Sequence, residues 1–189
     1  MQIDPENIIN KARNGDKEAF GKLVMQHQQY AFNLAFRIVC NEDDARDIVQ
    51  DSFIKIWKNM KLYLPKIKFS TWMYKIITNT AIDHLRSKKK MDMVNIDDFH
   101  ERYEQTNVNT PETLLNNKEI GQLISSFADT LSEKQKLVFV LRDLQGLNSS
   151  EVEEIMDLPE TSIKSNLYHA RKAIGEKLQK ILSYERSIR

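Results

Sequence analysis

The sequence predicts an all-α protein: two small helical domains joined by a flexible linker, the second a helix-turn-helix. Three observations carry this prediction. Only five Gly and four Pro punctuate 189 residues, too few for the turns of a strand-rich fold. Apolar residues recur at helical spacing over most of the chain, and that periodicity fails between Met91 and Pro111, in the acidic, Asn- and Thr-rich run MDMVNIDDFHERYEQTNVNTP. The expected division is 1–90 for the first domain, 91–111 for the linker and 112–189 for the second domain.

In chain order, Asn7 to Asn14 is a short amphipathic start that Gly15 interrupts, and Asp16 can cap a helix from Lys17 to Met25. A separate helix is expected from His27 to Cys40, with Tyr30, Leu34, Phe36 and Ile38 forming its apolar face. The next helix, Asp43 to Asn59, has two faces of different kinds. Ala45, Ile48, Val49, Ser52, Phe53 and Ile56 line the buried side. Opposite lies an acidic stripe of Asp43, Asp47, Gln50 and Asp51, with Ile54 in its middle and Trp57 at its edge. An apolar anchor ringed by carboxylates suits docking of a basic protein partner. The alternatives are a solvated face or carboxylate metal ligands, and the metal reading lacks a His or Glu at a matching position.

After a Lys- and aliphatic-rich loop from Lys61 to Lys68, Phe69 to Lys90 reads as one helix, capped by Ser70 or Thr71. Met73, Ile76, Ile77, Thr80 and His84 share its inward face. Trp72, Lys75, Asn79 and Arg86 fall together on a flank, where cations neutralise phosphate, an aromatic face stacks on an unpaired base, and an amide pairs with a base edge. The acidic linker follows Lys88, Lys89 and Lys90 directly and is expected to lie across this basic surface when no nucleic acid is bound.

The second domain opens with a helix from about Pro111 to Phe127. Ser132 and Gln135 form a capping box for the next, with Leu137, Val138, Val140 and Leu141 inside, and Gly146 ends it. Asn148 and Glu151 cap a short helix from Ser149 to Met156. Asp157-Leu158-Pro159 turns the chain into a last helix from Glu160 to Lys180, with Ile163, Leu167, Ala170 and Ile174 inward. Its outward stripe of Thr161, Lys164, Ser165, Tyr168 and Lys172, flanked by His169 and Arg171, suits the major groove of a DNA duplex.

Composition limits the remaining classes. The formal charge is +1, with acidic and basic residues segregated along the chain. A single Cys40 leaves no intramolecular disulfide framework and is expected to be a small buried residue. No signal-like or long apolar segment is present, so a cytoplasmic protein is expected. An enzyme built on Asp43, Asp47 and His84 is disfavoured: His84 points inward by periodicity, and no phosphate-cradling Gly loop or activated nucleophile occurs. No cofactor, metal or small-molecule substrate is expected.

Three segments together resemble the bacterial RNA polymerase sigma factors of the extracytoplasmic-function group. DDARDIVQDSFIKIW is similar to the family's core-binding helix, FSTWMYKIITNTAIDHLRSKKK to its promoter-melting and minus-ten-reading segment, and LSEKQKLVFVLRDLQGLNSSEVEEIMDLPETSIKSNLYHARKAI to its domain four. The resemblance implies that Asp47, Gln50, Asp51, Ile54 and Trp57 bind core RNA polymerase. It implies that Trp72, Lys75, Asn79 and Arg86, with the 61–68 loop, hold melted minus-ten promoter DNA. Thr161, Lys164, Ser165, Tyr168, His169, Arg171 and Lys172 would read the minus-thirty-five element, and an anti-sigma factor is the implied regulatory partner. Four positions depart from the family pattern: Asp157 stands where Gly is usual, Glu153 where a small residue is usual, and Asn166 and His169 where Arg is common. A DNA-binding regulator that never joins polymerase is the competing class, and it gives no reason for the acidic stripe around Ile54.

Overall fold

The computed structural model describes residues 5–94 and 131–188, all of whose regular elements are helical. Residues 95–111 of the expected linker and the Pro111–Phe127 helix lie outside the described residues, whereas 91–94, expected in the linker, continue α4. Four α-helices build the first half: α1 (Pro5–Arg13), α2 (Lys17–Val39), α3 (Glu42–Asn59) and α4 (Phe69–Val94), with a single 3-10 turn at Met60–Leu62. In the second half α5 (Glu133–Phe139) runs into a π-helical turn (Val140–Leu144), followed by α6 (Ser149–Met156) and α7 (Glu160–Ile188).

Local chemistry sets most of the boundaries. Gly15 adopts φ 93, and the Asp16 carboxylate accepts from the amides of Glu18 and Ala19 to start α2. Two helices were expected between Lys17 and Cys40; the structure has one. Met25 to His27 contains neither Pro nor Gly, so nothing breaks the hydrogen-bond ladder before Cys40 takes the left-handed conformation (φ 56). Gly21 lies inside this helix, exposed, and a Cβ added there would meet nothing within 4 Å. Gly21→Ala is therefore expected to stabilise the chain by about 1 kcal/mol, read as a higher urea midpoint at unchanged slope.

Asn41 caps α3, whose Ala45, Ile48, Ser52, Phe53 and Ile56 are buried as expected, with Val49 half-buried. α4 begins at Phe69, so Ser70 and Thr71 lie within its first turn and do not cap it, and the helix runs past Lys90 to Val94. Met73, Ile77 and Thr80 face inward as expected, but so do Tyr74, Thr78 and Ala81. This second buried flank exists because α4 is covered from two sides, by α2 and α3 and by α6 of the second half. Tyr30, expected inward, is exposed. His84 also departs from expectation: it stays at the rim, its Nε2 3.2 Å from Asp44 Oδ1, and Lys88 Nζ holds the other oxygen of that carboxylate at 2.8 Å.

Both predicted capping boxes of the second half are present. Ser132 and Gln135 exchange hydrogen bonds at the start of α5, as do Asn148 and Glu151 at the start of α6. Leu137, Val138, Val140 and Leu141 are buried, and Gly146 closes the π turn at φ 70. Asp157 supplies the left-handed residue between α6 and α7 at φ 51, a conformation that Asp tolerates better than most residues. Glu153 fits because it stays half-buried while Val152 and Ile155 fill the seam.

A half-buried titratable group packed on this core gives it a pH dependence. The ring of His27 on α2 packs 5.6 Å from that of Phe69, and burial holds its pKa below the ordinary 6.5. The folded chain thus keeps His27 neutral, while the unfolded chain binds a proton near pH 6.5. This contribution is complete above pH 6.5 and is lost as pH falls toward the lower folded value. The chemical-denaturation midpoint is expected to drop as the pH falls below about 6.5, with a shallower drop in His27→Gln.

Candidate nucleic-acid and protein-docking surfaces

The α3 stripe is open to solvent. Asp47, Gln50, Asp51 and Ile54 are spaced i, i+3, i+4 and i+7, which places them on one face over about 10 Å of helix. All four are exposed, Ile54 at 45%. Asp43, at the start of the stripe, is held 3.0 Å from Arg46, whereas Asp47 and Asp51 form no ion pair among the described residues. Trp57 is half-buried, its ring 4.9 Å from that of Phe20, so it partly fastens α3 to α2. A groove beside Gln50, lined by Val24, Phe32, Val49 and Phe53, escaped sequence reasoning. Its signal was present: Val24 and Phe32 are two turns apart on α2, but their half-buried state depends on α3.

The flank of α4 is assembled as its spacing predicts, though its side chains are not equally free. The Trp72 ring lies 5.3 Å from Tyr63 and 5.9 Å from Phe69, and Tyr63 donates its hydroxyl to Ile67 O at 2.8 Å. This aromatic cluster ties the 61–68 loop to the helix. Leu62 and Leu64 project from the loop beside exposed Lys61, Lys66 and Lys68. Asn79 is exposed. Lys75 and Arg86 point outward but meet carboxylates of the second half: Lys75 Nζ lies 2.6 Å from Asp157 Oδ1, and Arg86 Nη2 2.9 Å from Glu133 Oε1. Lys68 likewise meets Glu151 at 2.8 Å. These contacts could not be read from sequence, since Lys75 and Asp157 are 82 positions apart.

On α7, Ile163, Leu167, Ala170 and Ile174 are buried, and every residue of the predicted outward stripe is exposed. Tyr168, 64% exposed, sits edge-on to His169 with ring centres 5.4 Å apart. Lys164 pairs with Glu160 at 3.0 Å. Arg171 is turned back on its own domain, where Asp143 receives it in a bidentate pair at 2.8 and 2.6 Å and favours its charged form. Asn166 donates to Ser162 O at 2.8 Å on its own helix. The chain thus carries an acidic face with exposed Ile54 at its C-terminal end rather than in its middle, a cationic-aromatic flank and a mixed donor stripe, on α3, α4 and α7 respectively.

Residues 23–91 match the family Sigma-70 region 2, and residues 122–174 match Sigma-70 region 4. The ECF RNA polymerase sigma-E factor of Haemophilus influenzae is 30% identical over 188 residues, covering 96% of this chain and 98% of that protein. The chain belongs to the extracytoplasmic-function sigma factors. The sigma-E factor of Escherichia coli K12 is 28% identical over 187 residues, covering 96% of this chain and 97% of that one. Two solved structures share the fold of this sigma factor. CnrH in complex with the cytosolic domain of CnrY gives a TM-score of 0.70 at 20% identity, covering 94% of this chain and 99% of that chain. RpoE in complex with the anti-sigma factor NepR, from Bartonella quintana, gives 0.67 at 18% identity, covering 85% and 96%. This sigma factor carries two sigma-70 region domains, and its function is that of an RNA polymerase sigma factor. No described helix is long and apolar enough to cross a membrane, and no cluster of metal-ligating side chains occurs among the described residues.

Proposed function

We propose that the chain acts in the cytoplasm without catalysis of its own, docking on core RNA polymerase through α3 and holding promoter DNA through α4 and α7. The observation that carries this reading is Ile54, exposed one turn beyond Asp51 and two turns beyond Asp47, two carboxylates that form no ion pair among the described residues. A regulator that bound DNA alone would have no use for an acidic face, which repels phosphate. A basic polymerase surface is attracted by Asp47 and Asp51, while Ile54 supplies the apolar anchor and Gln50 sits at the lip of the neighbouring groove.

On α4, Trp72 offers its free face to an unpaired base, Asn79 an amide to a base edge, and Lys75 and Arg86 charge to phosphates. Opening a duplex costs roughly one to two kcal/mol per base-pair step, which stacking and phosphate contacts must offset. On α7, Thr161, Lys164, Ser165, Tyr168, His169 and Lys172 face a major groove, and Arg171 reaches phosphate only by leaving Asp143. An anti-sigma factor that covers these faces is the regulatory partner this family membership supports.

Size-exclusion chromatography of the full chain with bacterial core RNA polymerase tests the docking. Co-elution supports the reading, and separate elution with any bacterial core enzyme contradicts it. The DNA contacts are expected to show in salt dependence. Log affinity of the holoenzyme for promoter DNA should fall linearly with log salt, and Lys164→Ala or Lys172→Ala should each make the slope shallower by about 0.9. An unchanged slope in both variants would remove α7 from the duplex.

A further inference from the structure

We propose that Glu160 is a base-reading residue: its carboxylate selects cytosine in the duplex that α7 enters, and Lys164 beside it takes the guanine of the same pair. The inference rests on the reading of α7 given above and adds to it a residue and a base preference. Glu160 opens α7, and the Pro159 carbonyl, which accepts from the amides of Ser162 and Ile163 at 2.9 and 3.1 Å, fixes that first turn. Residues at the N-terminal end of a groove-entering helix are the ones that reach base edges. Glu160 stands one turn before Lys164 and two before Tyr168 on the same exposed face, while Ile163 and Leu167 turn inward.

Charge makes Glu160 the odd member of this face. Between Glu160 and Lys172 it is the one carboxylate, and the other charged side chains, Lys164, Arg171 and Lys172, are cations. A carboxylate brought to DNA is repelled by phosphate, so it weakens binding at every site where no base offers it a donor. In the major groove the donors are the amino groups of cytosine and adenine. Adenine sets its N7 acceptor beside the amino group, where it repels a carboxylate; cytosine has only a ring C–H there. Cytosine is therefore the base that rewards Glu160. Its guanine partner shows two adjacent acceptors, O6 and N7, which suit the donor-only ammonium of Lys164.

The geometry couples the two contacts. Lys164 Nζ lies 3.0 Å from Glu160 Oε1, with the side chains 69% and 51% exposed. The pair thus presents a donor and an acceptor side by side to the groove. Guanine O6 and the cytosine amino group are likewise hydrogen-bonded neighbours, with the opposite polarity. An ion pair this exposed is weak, so it is exchanged for base contacts at little cost. A Glu four residues before a Lys at a helix start also supports the helix. That support is indifferent to DNA sequence, so base preference separates the two roles.

The test is selection of duplexes by holoenzyme reconstituted from the full chain and core RNA polymerase, using a library randomised in the upstream promoter element. The wild type is expected to favour cytosine over adenine by about 10-fold at one position. Glu160→Gln, whose amide can pair with adenine N6 and N7 together, should move that position toward adenine and leave the others as they were. Glu160→Ala should flatten it, and Lys164→Ala should weaken the preference at the same position. A base profile unchanged by both Glu160 variants, or changed equally at every position, would overturn the inference and leave Glu160 a helix-start charge. Lys164→Ala and Lys172→Ala show which level has failed. If either alters the base profile or the salt slope while the Glu160 variants do not, α7 keeps the duplex and the cytosine assignment falls; if none of the four has an effect, both fall.

Discussion

Ile54→Lys is expected to weaken binding to core RNA polymerase by about 100-fold while leaving the fold intact. The side chain is 45% exposed on α3, so a lysine there is solvated in the free chain and the buried neighbours Phe53 and Ile56 are undisturbed. In the complex the same lysine would bring an unpaired charge into the centre of an interface and replace the apolar anchor. Asp47→Lys should act differently. It reverses one steering charge at the edge of the stripe, so it should slow association more than it speeds dissociation, and its effect should shrink at high salt. Surface plasmon resonance against immobilised core enzyme distinguishes these patterns. Normal binding by Ile54→Lys would take α3 out of the interface.

The second large effect is expected at Trp72. Trp72→Ala should reduce capture of a single-stranded promoter segment by 10- to 100-fold, equivalent to about 1–3 kcal/mol of lost stacking, and Trp72→Phe should recover part of it. The ring also contacts Tyr63 and Phe69, so removing it loosens the 61–68 loop. Thermal unfolding run beside the binding assay separates the roles. A ring that serves only packing would lower the melting temperature without changing strand affinity in the folded range. Lys75→Ala, whose side chain has no ring partner to lose, should weaken strand capture without that thermal cost when measured in the holoenzyme.

Features set by local chemistry were legible in the sequence. The pairs Ser132–Gln135 and Asn148–Glu151 sit three residues apart and satisfy each other's backbone, so spacing alone located the starts of α5 and α6. Asp16 is read the same way at α2, and the exposed face of α3 follows from seven residues of helical periodicity. Where the answer depended on distant partners, local reading failed. His84 has inward periodicity, yet Asp44 of α3 gives it a polar neighbour at the rim. Tyr74, Thr78 and Ala81 have no reason to be buried until α6 arrives from the second half. At Met25–His27 polar residues interrupt the apolar pattern without breaking the backbone, so the sequence suggests two helices where α2 is continuous. Within the candidate sites, residue types and spacing identified the three stripes. That Lys68, Lys75 and Arg86 are engaged by Glu151, Asp157 and Glu133 is a property of tertiary packing that no window of sequence contains.

The most direct measurement of the central claim, that this chain gives core polymerase its promoter choice, is reconstituted transcription from a random-promoter library. Core enzyme alone and core enzyme with the full chain would be compared by sequencing the transcripts. The account predicts a set of start sites that appears only with the chain, shares upstream sequence at two spaced positions, and vanishes with Ile54→Lys. Transcripts indistinguishable from those of core enzyme alone, with the chain bound to it, would contradict the account.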